Sequence, residues 1–292
     1  MTKLEEILFL QSLNRVGKTT IYKKYWDTMQ NSQSMDDLKN AVSADHSQQE
    51  IDNAAKEAEK TRKNVEAAEA EDISAITIFD EDYPANLRVM GQKAPLVLYA
   101  KGSISALHKT GVAVIGTRHP MSYSEKVEKN LVKKIIEIAD PVIVSGLAIG
   151  CDAIAHQVTI NMQKQTIAVL PSGVNVVTPS CHQKLAEQIL ENNGCLISEY
   201  TPDAKAYRAS FVERDAIVAA LSDLTFVVEC DVRSGTMHTV DFAREYERPV
   251  ACFYPIIQVS GTYMGNKYMM RKGAAKVSGT TELRKVLGTV EK

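Results

Sequence analysis

The sequence predicts an α/β fold: an extended Rossmann-like, doubly wound, mostly parallel sheet, preceded by a small all-helical domain. Three observations carry this expectation. From residue 111 to 255, short apolar runs alternate with amphipathic stretches of helical period, which is the pattern of successive βαβ units. The runs end in small, polar, glycine-containing loops that open helices, as where Val112-Ala113-Val114-Ile115 stops at Gly116-Thr117-Arg118. Residues 1 to 72 show helical periodicity alone.

In the first 72 residues, Leu4, Ile7, Leu8, Leu10 and Leu13 recur at helical spacing. Val16-Gly17-Lys18-Thr19-Thr20 interrupts them, and Ile21, Tyr22, Tyr25 and Trp26 resume the pattern. This predicts a helix pair around a glycine turn, in the manner of a helix-hairpin-helix or sterile-alpha-motif-like unit. Gly17-Lys18-Thr19 is not read as a nucleotide-binding P-loop: that motif needs a glycine where Ser12 stands and a strand in front of it. Residues 47–71, rich in Ala, Glu and Lys, predict a solvated helix.

Residues 73–102 change character, with short strands at Ile76-Thr77-Ile78 and Leu96-Val97-Leu98-Tyr99 around the turn Asp80-Glu81-Asp82-Tyr83-Pro84. Strands are then expected at 112–116, 142–145, 166–170, 195–198, 224–229 and 249–253. Helices are expected at 122–138, 149–162, 181–192, 211–222 and 234–246, with right-handed crossovers. An irregular segment holding Gly261, Gly265 and Gly273 follows, then a last helix near 281–287. The expected division is a helical domain at 1–72 and a sheet domain at 73–292, with no further domain after it.

Bulk properties narrow the function. A net charge of -2 over 292 residues argues against coating nucleic acid by overall positive charge, while leaving room for a local basic groove. No apolar run reaches the roughly 20 residues that span a bilayer, and the first residues lack a signal-peptide pattern, so a cytoplasmic protein is expected. The five cysteines form no C-x-x-C pair, so neither a metal cage nor a disulfide framework is expected, and no cofactor.

In a parallel sheet the strand-to-helix loops share one edge, where ligands bind. That edge collects Arg118, Ser145, Gly146, Ser172, Gly173, Arg233, Ser234, Gly235 and Thr236. Ser234-Gly235-Thr236 opens a helix, so its amides and hydroxyls predict an anion site, with phosphate the obvious anion. Arg208 and Arg214 flank Phe211 where another helix begins, an arrangement suited to gripping phosphates while a ring stacks on a base. For covalent chemistry the sequence offers little. Asp152 and His156, four apart on a helix, read as a structural pair. His238 and Glu229 lie near the phosphate loop without an evident partner, and no H-E-x-x-H or G-x-S-x-G motif occurs. The first turn lacks G-x-G-x-x-G, which argues against NAD. No enzyme activity and no catalytic residue are expected.

At these loops the sequence resembles the DprA/Smf family of DNA-processing proteins. The resemblance is carried by Ile115-Gly116-Thr117-Arg118, by 143–156 from Ile143-Val144-Ser145-Gly146 to Ala155-His156, by Leu196-Ile197-Ser198-Glu199-Tyr200 and by Arg233-Ser234-Gly235-Thr236. Tyr83-Pro84 resembles the family's lead-in, and Gly265-Asn266 to Gly273-Ala274 its closing loop. The resemblance implies a dimer that binds single-stranded DNA in a basic pocket and loads a RecA-type recombinase during DNA uptake. It implies phosphate contacts at Arg118, Ser145, Gly146, Ser234, Gly235 and Thr236, a basic contact at Arg208, and a base platform at Phe211. The chain departs from the family where phenylalanine-proline-x-arginine-asparagine-arginine becomes Phe211-Val212-Glu213-Arg214-Asp215-Ala216, and it is expected to lack the winged helix some relatives carry. The alternative readings are a nucleotide-binding sensor or a nucleoside-monophosphate phosphoribohydrolase-like enzyme of the same fold.

Overall fold

The structure, a computed structural model, describes residues 2–255 and 263–289. It opens with helices. Thr2 caps α1 (Lys3–Ser12) in a reciprocal box with Glu5, satisfying two N–H groups that the helix cannot satisfy itself. After the break at Gly17 come α2 (Lys18–Thr20), a π-helical turn at Ile21–Tyr25, α3 (Trp26–Asn31) and α4 (Met35–Val42). The long α5 (Gln48–Glu69), boxed by Ser47 and Glu50, buries only Ile51, Ala54, Ala58, Val65 and Ala68, so it is the solvated helix its composition predicts. Among the described residues no strand precedes Gly17-Lys18-Thr19; Lys18 Nζ instead pairs with the Glu199 carboxylate at 2.5 Å, docking the glycine turn onto the sheet.

The lead-in comprises β1 (Ile73–Thr77), a 3-10 stretch at Ala85–Lys93, β2 (Val97–Gly102) and a second 3-10 turn at Ile104–His108. The regular alternation follows as β3 (Gly111–Ile115), α6 (Ser122–Ala139), β4 (Val142–Ser145), α7 (Cys151–Asn161), β5 (Thr166–Val169), α8 (Gln183–Glu191) and β6 (Cys195–Ser198). Then come α9 (Ser210–Leu221), β7 (Leu224–Val227), α10 (Thr236–Glu245) and β8 (Val250–Phe253). The chain continues with α11 (Met264–Arg271), β9 (Ala275–Val277) and α12 (Thr280–Leu287).

Among the described residues the nine strands form one sheet in the order β1-β2-β6-β5-β4-β3-β7-β8-β9. The pairs β1/β2 and β2/β6 are antiparallel and the remaining pairs parallel, giving the expected doubly wound sheet. Alternation along β3 divides the core: Val112 and Val114 pack with Leu131 and Ile135 of α6, while Ala113 and Ile115 face the side holding Ile217 and Ala220 of α9.

One expectation fails. The segment read as irregular after Pro255 contains α11 and β9; its Gly261 lies outside the described residues. Asn266 explains the order. Its buried amide donates through Nδ2 to the Val228 and Phe253 carbonyls at 2.9 and 2.8 Å, and its Oδ1 accepts the Cys230 N–H at 2.9 Å. Three backbone groups left over where β7 and β8 end are thereby satisfied by one side chain.

Candidate functional site

The sheet is wound outward in both directions from β3. From β3 the chain steps to β4, β5 and β6 on one side, and from β7 to β8 and β9 on the other, so β3 and β7 are adjacent with their following helices diverging. Such a reversal opens a crevice at the carboxyl ends of the two strands. A cavity of about 590 Å³ lies there, lined by Arg118, Gly146, Phe211, Arg214, Arg233, Ser234, Gly235 and Thr236 among others.

The first loop is held by backbone. Thr117 N–H donates to the Glu229 carbonyl at 2.7 Å, and the Thr117 carbonyl accepts from Cys151 N–H at 3.1 Å, so the turn after β3 is bound to the ends of both β7 and the loop before α7. Gly116 has to be glycine, since a Cβ there would come within 2.5 Å of Cys151 Sγ. The Glu229 carboxylate, which has no evident partner in the sequence, accepts Met121 N–H at 3.1 Å just ahead of α6. Arg118 is left exposed at the mouth.

The second loop is held by Asp152, whose Oδ2 accepts the N–H groups of Gly146 at 3.1 Å and Ala148 at 3.3 Å. Burial pushes this carboxyl up to about 6, against the opposing pull of Arg214. Asp152 and His156 therefore do not pair: the His156 ring bonds Thr166 Oγ1 at 2.7 Å and is kept neutral by burial, down to about 3. The serine of this loop is not available to a phosphate. Ser145 is fully buried and its hydroxyl donates to the Val114 carbonyl at 2.7 Å, because β4 lies against β3 at that point. Ser172 and Gly173 also stand apart from the cavity: the Ser172 hydroxyl is bonded to the Val176 carbonyl, and Gly173 N–H to the Ala204 carbonyl at 2.8 Å.

The third loop presents fewer open donors than its composition suggests. Ser234 Oγ donates to Thr236 Oγ1 at 2.9 Å, which donates to the Gly116 carbonyl at 3.0 Å, and Thr236 N–H returns to Ser234 Oγ at 3.2 Å. The hydroxyls thus brace one another and the first loop. Gly235 N–H has no protein partner among the described residues, so one amide at the N-terminus of α10 is left unengaged with the helix dipole behind it.

Charge in the cavity is mixed, with Asp152, Asp215 and Asp231 beside the three arginines. The aspartates are largely committed. Asp152 serves its loop, Asp215 Oδ1 accepts Arg214 Nε at 3.0 Å, and Asp231 Oδ1 accepts Arg233 N–H at 3.4 Å. Burial also raises Asp215, offset by Arg214. Arg118 and Arg233 stand in no ion pair among the described residues, although Arg118 lies near enough to favour the ionised Asp215 carboxylate. Arg214 is buried, with Nη1 donating to the Gly146 carbonyl and to Val169 at 2.9 Å; Nη2 alone has no protein partner among the described residues.

Phe211 is half-buried at the cavity edge in the first turn of α9. Arg208, one turn earlier, is exposed but outside the cavity, because the chain there has not yet entered the helix.

A family model described as DNA recombination-mediator protein A matches residues 74–288. This chain belongs to that family. It is 32% identical over 203 residues to Protein Smf of Escherichia coli K12, covering 70% of this chain and 54% of that protein. It spans about half the length of the curated relatives from E. coli and Mycobacterium tuberculosis that it matches (54% and 50%). The X-ray structure of DNA processing protein A (DprA) from Streptococcus pneumoniae superposes with a TM-score of 0.80 at 24% identity, covering 97% of both chains. DprA from Helicobacter pylori, whose structure describes that protein's single-stranded DNA binding mode, gives a TM-score of 0.64 at 29% identity, over 74% of this chain and 95% of that one.

Against this family background the two acids after Phe211 have different fates. Glu213 turns away from the cavity to accept the hydroxyl protons of Tyr200 and, at 2.8 Å, Tyr207. Asp215 lines it, tied to Arg214. Cavity residues that the sequence did not single out include Ala148, Asp231 and Thr239; their only signal was adjacency to glycine-containing loops.

Proposed function

We propose that this chain is a single-stranded DNA-binding recombination mediator that acts without covalent chemistry and helps load a RecA-type recombinase during DNA uptake or recombination. The observation that carries the reading is the cavity at the β3/β7 reversal. There, Arg118 and Arg233 present guanidinium groups that stand in no ion pair among the described residues, beside the unengaged Gly235 N–H, and Phe211 offers a ring at the edge. Phosphates would sit between the two arginines and the start of α10, with Arg214 Nη2 behind them, while a base stacks on Phe211. Ser145, Ser234 and Thr236 would act by shaping these loops, and Arg208 as an outer phosphate contact. The family membership supports the reading, as does the single-stranded DNA binding of the H. pylori relative.

The same reading takes the protein to be a cytoplasmic homodimer; no helix among the described residues is long and apolar enough to cross a membrane. It also treats residues 1–72 as a domain docked on the sheet domain, in keeping with an apolar cluster that runs from Ile7 and Ile21 to Leu96 and Leu98. A cavity of about 590 Å³ would also accept a mononucleotide, which is what favours the sensor or phosphoribohydrolase-like alternative. Fluorescence anisotropy of labelled oligo-dT across a salt series tests the proposal. Log affinity should fall linearly with log salt; an oligonucleotide that fails to bind at low salt would refute it.

A further inference from the structure

Helices α6, α7 and α8 enclose a second depression, a trough of about 900 Å³ distinct from the cavity at the sheet edge. Its floor is a stripe made by Ile154 and Val158 of α7, one turn apart and therefore aligned along the helix, continued by Met162 where the helix ends. Lys129 and Lys133, one turn apart on α6, form one wall; Lys184 on α8 forms the other, with Cys181 at its end. No acidic side chain lines the trough among the described residues, and its one ring is the imidazole of His182, held by the Leu147 carbonyl at 2.8 Å; none of the three lysines is in an ion pair there.

We propose that this trough docks an acidic amphipathic segment of a partner protein, its aliphatic side chains on the α7 stripe and its carboxylates against the lysines of both walls. Charge complementarity requires an anionic occupant, since three ammonium groups face one space with no protein carboxylate between them. The floor decides which anion. A single nucleic-acid strand gains much of its affinity by stacking successive bases on flat rings, and the trough offers only the half-buried imidazole of His182. A stripe of aliphatic side chains at helical spacing is instead the counterpart of an amphipathic peptide laid into a groove. The proposal is independent of what the sheet-edge cavity binds.

Cys181 gives the test, because it is exposed whereas Cys151, Cys195, Cys230 and Cys252 are buried. The rate of its modification by N-ethylmaleimide in the full chain reports whether the trough is covered. The probe is a synthetic peptide of about 15 residues with leucines on one helical face and glutamates elsewhere, enough to lie along the groove. At a concentration well above its dissociation constant it should slow the reaction about tenfold, by leaving the trough empty only a small fraction of the time. A scrambled peptide should not protect. The double substitution Lys129→Glu and Lys133→Glu should abolish protection while circular dichroism shows the fold intact. Equal protection by the scrambled peptide, or protection that survives the double substitution, overturns the proposal. So does protection by a 30-mer of oligo-dT with none by the peptide, which would make the trough a nucleic-acid path.

Discussion

The guanidinium of Arg214 donates to the carbonyl of Gly146, tying the first turns of α9 to the end of β4 beneath the cavity. A second bond to the Val169 carbonyl at 2.9 Å draws in the end of β5. The approach is so close that a Cβ on residue 146 would run into the guanidinium. Gly146, which the sequence marks as part of a phosphate turn, is thus also required for packing.

Arg214→Lys should therefore act on the fold. A single ammonium cannot serve two carbonyls and the Asp215 carboxylate in three directions. Leaving a buried carbonyl unsatisfied should cost about 1–3 kcal/mol, read as a lowered urea midpoint. A midpoint equal to wild type would show that the guanidinium contributes no structure.

Arg118→Ala should do the opposite. The side chain is exposed and in no ion pair among the described residues, so stability should stay within about 0.5 kcal/mol. The salt slope of oligo-dT binding should fall by about 1, the change expected when one phosphate no longer meets a cation. Arg208→Ala, outside the cavity, should lower the slope less.

Phe211→Ala should weaken oligo-dT binding by about 1–3 kcal/mol, the range for one stacked base, with the salt slope unchanged. A changed slope with unchanged affinity would reverse the roles given to Phe211 and Arg118.

Asp152 gives a pH signature. Burial raises its carboxyl from 3.8 to about 6, so the folded chain holds this proton more tightly than the unfolded chain does. The stability it contributes is complete below 3.8 and is lost as pH rises through about 6. Asp152→Asn keeps an oxygen for the N–H groups of Gly146 and Ala148 but cannot titrate. Thermal midpoints should show wild type losing ground to the variant between these pH values; parallel curves would contradict the assignment.

The parallel part of the fold was legible because each strand is a buried apolar run and each helix an amphipathic one, so period and length agree. β9 was not: Ala275-Lys276-Val277 is too short to show alternation, and Gly265 and Asn266 at the start of α11 read as loop residues. Their reason lies in tertiary contacts, since Asn266 serves carbonyls of two distant strands. At the candidate site, glycine-containing loops after strands pointed to Arg118, Gly146 and Gly235 as neighbours, and all three line one cavity. Hydroxyl direction is invisible in sequence, which is why Ser145 was grouped with residues that reach the cavity although it points into the β3/β4 backbone. The inward turn of Asp152 and the outward turn of Glu213 depend on which neighbours need an acceptor: backbone N–H groups for one, two tyrosines for the other.

On the proposed function a nucleic-acid strand, rather than a single nucleotide, occupies the β3/β7 cavity. Competition anisotropy with a labelled 30-mer of oligo-dT, displaced by unlabelled 30-mer or by thymidine monophosphate, tests it on wild type and Arg118→Ala. Binding of the 30-mer should be salt-sensitive and much weaker in Arg118→Ala, with the mononucleotide competing only at far higher concentration. Tight binding of the mononucleotide with no measurable binding of the 30-mer would contradict it.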